Sequence, residues 1–216
     1  GLGGGQGRVP LRAEDVTVAE IFKQAGYATG MTGKWGLGEP NTTGLPNDQG
    51  FDEWFGYLNQ RRAHTYYPDY LWLNRERFPL PGNTNGSREQ YTHDLMTDFA
   101  LDFIKTNAEA PFFLYVPYTI PHSALEVPEL GIYAGNDEWS DKEQAFAAMV
   151  TRMDTDIGRM TTLLDELEIS DNTLIFFCSD NGAALRFDGR FDSSGPLRGR
   201  KRDMYEGGIR VPMIVS

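Results

Sequence analysis

Cysteine is almost missing from this chain: Cys178 is the only one among 216 residues. A lone thiol cannot close an internal disulfide, and a cysteine-built zinc cluster is excluded with it. Cys178 lies in a continuous apolar run and is expected to be a buried strand thiol. Basic charge is also short, with 20 Lys and Arg against 31 Asp and Glu, a formal net charge of -11. Nonspecific nucleic-acid binding needs a broad basic face to neutralise phosphates, so that class is excluded and any anion must be captured locally. Long hydrophobic runs are lacking: none approaches the roughly 18 apolar residues of a membrane span. Gly1–Arg8 has no apolar centre of the kind a signal peptide carries. What the chain does have, 40% hydrophobic and 12% aromatic residues, excludes general disorder and is enough for one large core.

Helix and strand signals alternate along the chain. Thr17 and Glu20 form a capping box ahead of Val18–Ala25, and Gly26 supplies the stop. Tyr27–Thr32 reads as a strand that delivers Gly33-Lys34-Trp35-Gly36-Leu37-Gly38 as its exit loop. Residues 41–81, rich in Gly, Pro, Asn, Tyr and Trp, show no lasting period and read as a long ordered excursion over the sheet top. A helix over Thr92–Lys105 carries Leu95, Phe99, Phe103 and Ile104 on one side, and Phe112–Val116 follows as a strand that leaves towards His122. Met149, Met153, Ile157, Met160, Leu163, Leu164 and Leu167 recur at helical spacing, and Ser170-Asp171-Asn172 turns into Thr173–Cys178. That last run is continuous and β-prone, the pattern of a strand buried on both faces. Successive helix-strand units with short turns predict an α/β fold with a mostly parallel, doubly wound sheet flanked by helices.

In open α/β sheets, ligands collect beyond the carboxyl ends of the strands. Ser179-Asp180-Asn181-Gly182 puts a carboxylate and an amide oxygen at such an end, hard donors suited to calcium or magnesium. The alternative is a plain Asp-Asn-Gly turn without metal. The same topology brings Lys34 and His122 to the edge where Asp180 and Asn181 stand, a set able to neutralise, orient and protonate a tetrahedral oxyanion. Arg198, Arg200, Lys201 and Arg202 crowd into five positions of an acidic chain and can focus an anion. Gly207-Gly208 follows and permits close backbone approach. His93 falls in a helix and reads as structural or exposed.

Taken in order, Ala25–Gly30, Gly33–Gly38, Gly50-Phe51-Asp52, Pro121-His122, Ser179–Gly182 and Leu197–Pro212 resemble the sulfatase family within the alkaline phosphatase superfamily. The resemblance implies that Asp180 and Asn181 are calcium ligands, with magnesium as the alternative ion. It implies that Lys34 and Lys201 bind sulfate, that His122 contacts sulfate or protonates the leaving oxygen, and that Arg210 is an internal structural arginine. It also implies one partial catalytic α/β domain over 1–216, truncated at both ends and lacking a carboxyl-terminal subdomain, in a periplasmic or secreted protein.

Two departures stand out. The family's early aspartate pair and its Cys/Ser-x-Pro-Ser-Arg segment, whose first residue becomes formylglycine, are absent from these residues and are expected upstream of Gly1. Ser194-Gly195-Pro196-Leu197-Arg198 imitates that segment but lacks the serine before arginine and overlaps the lysine loop. Gly36 stands where many relatives have a histidine, and His64, in Arg61-Arg62-Ala63-His64-Thr65-Tyr66-Tyr67-Pro68, is the candidate to replace it, with Arg62 as a further substrate-binding residue. The implied activity of the intact protein is calcium-assisted hydrolysis of sulfate esters, this fragment alone being inactive. The rival readings are a phosphodiesterase or phosphonate monoester hydrolase of the same superfamily, or a noncatalytic binder of sulfated glycans. The expected partner is a sulfated small molecule or glycan, and Tyr66, Tyr67, Tyr70 and Trp72 favour sugar; oligomeric state is open.

Overall fold

The computed structural model describes residues 9–184 and 186–216. The glycine-rich stretch Gly1–Arg8 lies outside the described residues. Two compact units make up the chain, Gly1–Leu167 and Glu168–Ser216.

The first unit is built on a five-stranded sheet in the order β4-β3-β2-β1-β5. Its strands are β1 (Ala28–Lys34), β2 (Glu53–Tyr57), β3 (Tyr70–Leu73), β4 (Glu76–Pro79) and β5 (Phe112–Tyr115). β1 pairs parallel with both β2 and β5, whereas β3 and β4 extend the sheet antiparallel. The α/β architecture expected from the sequence is therefore present, with a mixed sheet. β2, β3 and β4 all come from the stretch read as an excursion without strands. Four- and five-residue strands interrupted by Gly, Pro and Asn are too short to establish a period, which is why the alternation escaped notice.

Helices cover both faces. α1 (Val18–Gln24) has the expected capping box, with Thr17 and Glu20 satisfying each other's backbone amides. It packs Ala19 against Met31, Trp54, Phe51 and Leu58 on one face of the sheet. α2 (Thr92–Thr106) puts Met96 against Phe55, Tyr57, Leu71 and Leu80 on the other. Alternation within β2, Trp54 to one cluster and Phe55 to the next, is the period-two signature of a sheet sandwiched between layers. α3 (Asp141–Glu166) begins with a second capping box, Ser140 and Glu143. It packs against α2 through a bidentate Arg152–Asp94 pair at 2.6 and 2.7 Å and through His93, which is fully buried, with its Nε2 2.9 Å from Asp156.

In the second unit, β6 (Phe176–Cys178) pairs antiparallel with β7 (Met213–Val215), and α4 (Glu206–Ile209) is a single turn. The expectation of a strand buried on both faces fails here: Leu174 is 76% and Phe176 65% exposed, and Cys178 is exposed as well. Apolar continuity encodes β-propensity but not the covering layer, and this two-stranded ladder has none over it among the described residues.

Candidate active site

Three sequence-predicted residues, Lys34, His64 and His122, lie in the first unit on strand exits that backbone bonds and a ring stack tie together. Lys34 ends β1, and its backbone amide donates to the carbonyl of Pro117 at 3.0 Å, so the exit from β5 is tied to the exit from β1. The ladder with β2 continues past the strand ends, as Trp35 and Gly36 donate to Tyr57 and Leu58. From there the chain runs into a 3-10 turn, Arg62–His64. The His64 ring stacks on His122 with centroids 4.8 Å apart and planes 15° from parallel. The two loops are also bonded directly, since Ala124 donates its amide to the His64 carbonyl at 3.0 Å.

Tyr66 is the post on which this corner turns. Its side chain is fully buried, and its hydroxyl lies 3.1 Å from the Thr119 carbonyl and 3.0 Å from that of His122. Its amide donates to the carboxylate of Glu126. A buried phenol with carbonyl partners fixes the loop carrying His122 and cannot offer a face to a sugar, so Tyr66 leaves the group of expected sugar contacts. Nearby Tyr118 donates to or accepts from Thr97, and burial pushes its hydroxyl up to about 12, which keeps it neutral.

Gly36 explains how the corner is filled. Its φ of +79° is left-handed, and an added Cβ would lie 2.1 Å from Nε2 of Gln60. No side chain fits at position 36 unless Gln60 moves, so the glycine and the carboxamide occupy one place between them. The sequence reading missed Gln60, and the only signal for it was the glycine. Asn59, also missed, holds the start of the turn by accepting from the amides of Arg61 and Arg62. Arg62 pairs with Asp69 and lies 3.6 Å above the Tyr70 ring. The hydrogen bond from Arg62 holds the Asp69 carboxyl below the usual carboxylate range.

The other predicted residues lie in the second unit. Asn181 turns its amide nitrogen to the Gly182 carbonyl at 3.1 Å, while Asp180 is exposed. Lys201 is fastened to this motif by backbone: its amide donates to Ala183 at 2.8 Å, and Gly182 donates to Gly208 at 3.0 Å. The approach is close enough that a Cβ on Gly182 would meet the Gly207 carbonyl at 1.9 Å. Glycines at 182, 207 and 208 thus bring the lysine loop against the Asp-Asn motif. Among the described residues, no group of three or more His, Cys, Asp or Glu has the spacing of a metal site. Asp180 and Asn181 are two hard oxygen donors, which fits calcium in kind and falls short of its six to eight ligands in number.

The family model described as Sulfatase matches residues 3–216. An N-acetylgalactosamine-6-sulfatase of Canis lupus familiaris is 33% identical over 214 residues, 93% of this chain and 39% of its own length. An arylsulfatase of Hemicentrotus pulcherrimus is 33% identical over 225 residues, 95% of this chain and 38% of its own. Among solved structures, Ps i-CgsB in complex with k-i-k-neocarrahexaose superposes with a TM-score of 0.80 at 27% identity, covering 96% of this chain and 48% of that one. The chain thus spans about two fifths of the length of these curated relatives. With its mixed sheet between helices, it has the alkaline phosphatase-like fold expected from the sequence.

Proposed function

The chain belongs to the sulfatase family, and from that premise we propose that the whole protein hydrolyses sulfate esters of carbohydrates. The observation that carries this reading is the corner where Lys34 and the stacked His64 and His122 leave neighbouring strand ends. Lys34 and Lys201 grip the nonbridging oxygens of the sulfate, and His122 gives its proton to the departing alkoxide. His64 stands in for the histidine that Gly36 replaces, and Arg62 with His64 contacts the sugar side of the ester. Asp180 and Asn181 contribute two ligands to a calcium ion, the remainder coming from elsewhere in the protein. When bound, that ion neutralises sulfate charge and makes a nearby oxygen a better nucleophile. The nucleophile is formylglycine, from outside these residues. No helix among the described residues is long and apolar enough to cross a membrane, and a periplasmic or secreted setting completes the proposal.

The test is paired kinetics of the full-length protein on 4-nitrophenyl sulfate and 4-nitrophenyl phosphate. Sulfate is expected to be the better substrate, and His122→Ala or Lys34→Ala to lower kcat/KM about 100- to 1,000-fold, the loss seen when one transition-state donor is removed. Preference for phosphate would move the protein to the phosphohydrolase branch. Sulfated-glycan binding with no hydrolysis of either ester would make it a noncatalytic binder. For His64, unchanged turnover and unchanged affinity in His64→Ala would remove it from the site.

A further inference from the structure

The β3–β4 hairpin carries a cation on an aromatic platform that the proposed hydrolysis does not use. Tyr70 and Trp72 alternate onto one face of β3, and Arg77 of β4 is the direct cross-strand partner of Trp72. The Arg77 guanidinium carbon lies 4.5 Å from the Tyr70 ring centroid and 5.8 Å from that of Trp72. The two rings meet edge to face at 6.1 Å. Trp72 is half-buried and packs against the cluster around Trp54 and Met31, so the platform is anchored in the core while Arg77 stays exposed. Asp69, whose carboxylate feels the charge of Arg77, is already engaged by Arg62. Among the described residues Arg77 has no ion-pair partner, and Arg62 Nε is buried without a hydrogen bond.

In a chain of net charge -11, two guanidiniums around one tyrosine ring form a local exception. Stacked arginine keeps its fork of donors pointing outward along the ring plane, which matches a planar carboxylate or a sulfate oxygen pair. Position matters equally, because Arg62 on Tyr70 and His64 on His122 belong to one 3-10 turn, so the platform adjoins the corner that holds the reacting ester.

We propose that Arg77, with Tyr70 and Trp72, is an accessory subsite for a second anionic group, a sulfate or uronate on a neighbouring sugar of a polymeric sulfated glycan. This rests on the sulfatase reading, from which it takes the substrate class, yet its test is separate. Titration calorimetry of the full-length protein with a dextran sulfate hexasaccharide is expected to show binding that the unsulfated hexasaccharide lacks. Arg77→Ala should weaken it about tenfold, roughly 1.4 kcal/mol, and Arg77→Lys by less. On 4-nitrophenyl sulfate, which has no second sugar, Arg77→Ala should keep kcat/KM within about twofold of the wild type, as a group that touches only the second sugar should. Equal affinity of wild type and Arg77→Ala for the sulfated hexasaccharide, or no binding by either, overturns the subsite. Failure of the wild type to cleave 4-nitrophenyl sulfate overturns the hydrolase reading instead, while the calorimetry still decides on Arg77.

Discussion

Gly1–Leu167 and Glu168–Ser216 position their candidate residues by different physics. In the first unit, Lys34 and His122 leave strands of a sheet covered on both faces, and a buried tyrosine locks the loops between them. In the second, Lys201 and the Asp180-Asn181 pair are held by backbone hydrogen bonds between segments that touch only because Gly182, Gly207 and Gly208 lack side chains. A packed core tolerates volume-conserving swaps, whereas a glycine at which an added Cβ would fall 1.9 Å from a carbonyl has no slack. The contrast implies stability defects from core substitutions in the first unit and functional defects from single methyl groups in the second.

The largest effect on stability is expected at the α2–α3 seam of the first unit. His93→Ala empties a fully buried site beside Asp156, which keeps Arg159 and Thr97 as partners, and should cost about 2–5 kcal/mol, read as a lower midpoint in chemical denaturation. An unchanged midpoint would mean that the apolar layers alone hold this unit. In the second unit, Gly182→Ala should lose about 1–3 kcal/mol to overpacking. Its larger consequence is functional, because it displaces Asp180 and Lys201 together. About 100-fold should be lost in kcat with the far-ultraviolet helix signal retained, and wild-type turnover would erase the contrast.

Acid sharpens the same comparison. Burial alone would raise the Asp156 carboxyl, but the His93 imidazole 2.9 Å away and a hydrogen bond from Arg159 outweigh it and hold the group below the usual carboxylate range. A carboxyl depressed in the folded state contributes stability above its unfolded value and loses it as pH falls through the folded one. Melting temperature should therefore drop below the ordinary carboxylate range, and Asp156→Asn should flatten that part of the profile. The smallest effect expected is at the edge of the first unit, where Thr17→Ala removes one half of a capping box and should cost about 1 kcal/mol in thermal melts.

Much of the first unit was legible because its signals are local. The Thr17–Glu20 box, the α2 stripe and the apolar run of β5 each carry their period within one element. The Ser140–Glu143 box was equally readable and was overlooked beside the stronger methionine spacing. Strands β2, β3 and β4 were missed because each is too short to show alternation, and their pairing is what makes them strands. The buried role of Tyr66 was invisible for a related reason: a tyrosine among arginines and prolines looks the same in sequence whether its ring meets solvent or three carbonyls.

By itself, the sequence determined the chemical inventory and its order: two lysines, an imidazole and a carboxylate-amide pair in motifs that mark the family. It also determined the α/β class, since helix and strand periods are written into neighbouring residues. Only tertiary structure decided that Gln60 fills the place a side chain at 36 would need, that His64 lies flat on His122, and that Arg77 rides on Tyr70. Each of these joins residues whose contact no local period encodes; it follows from strand order and loop closure, and those exist only once the chain is packed.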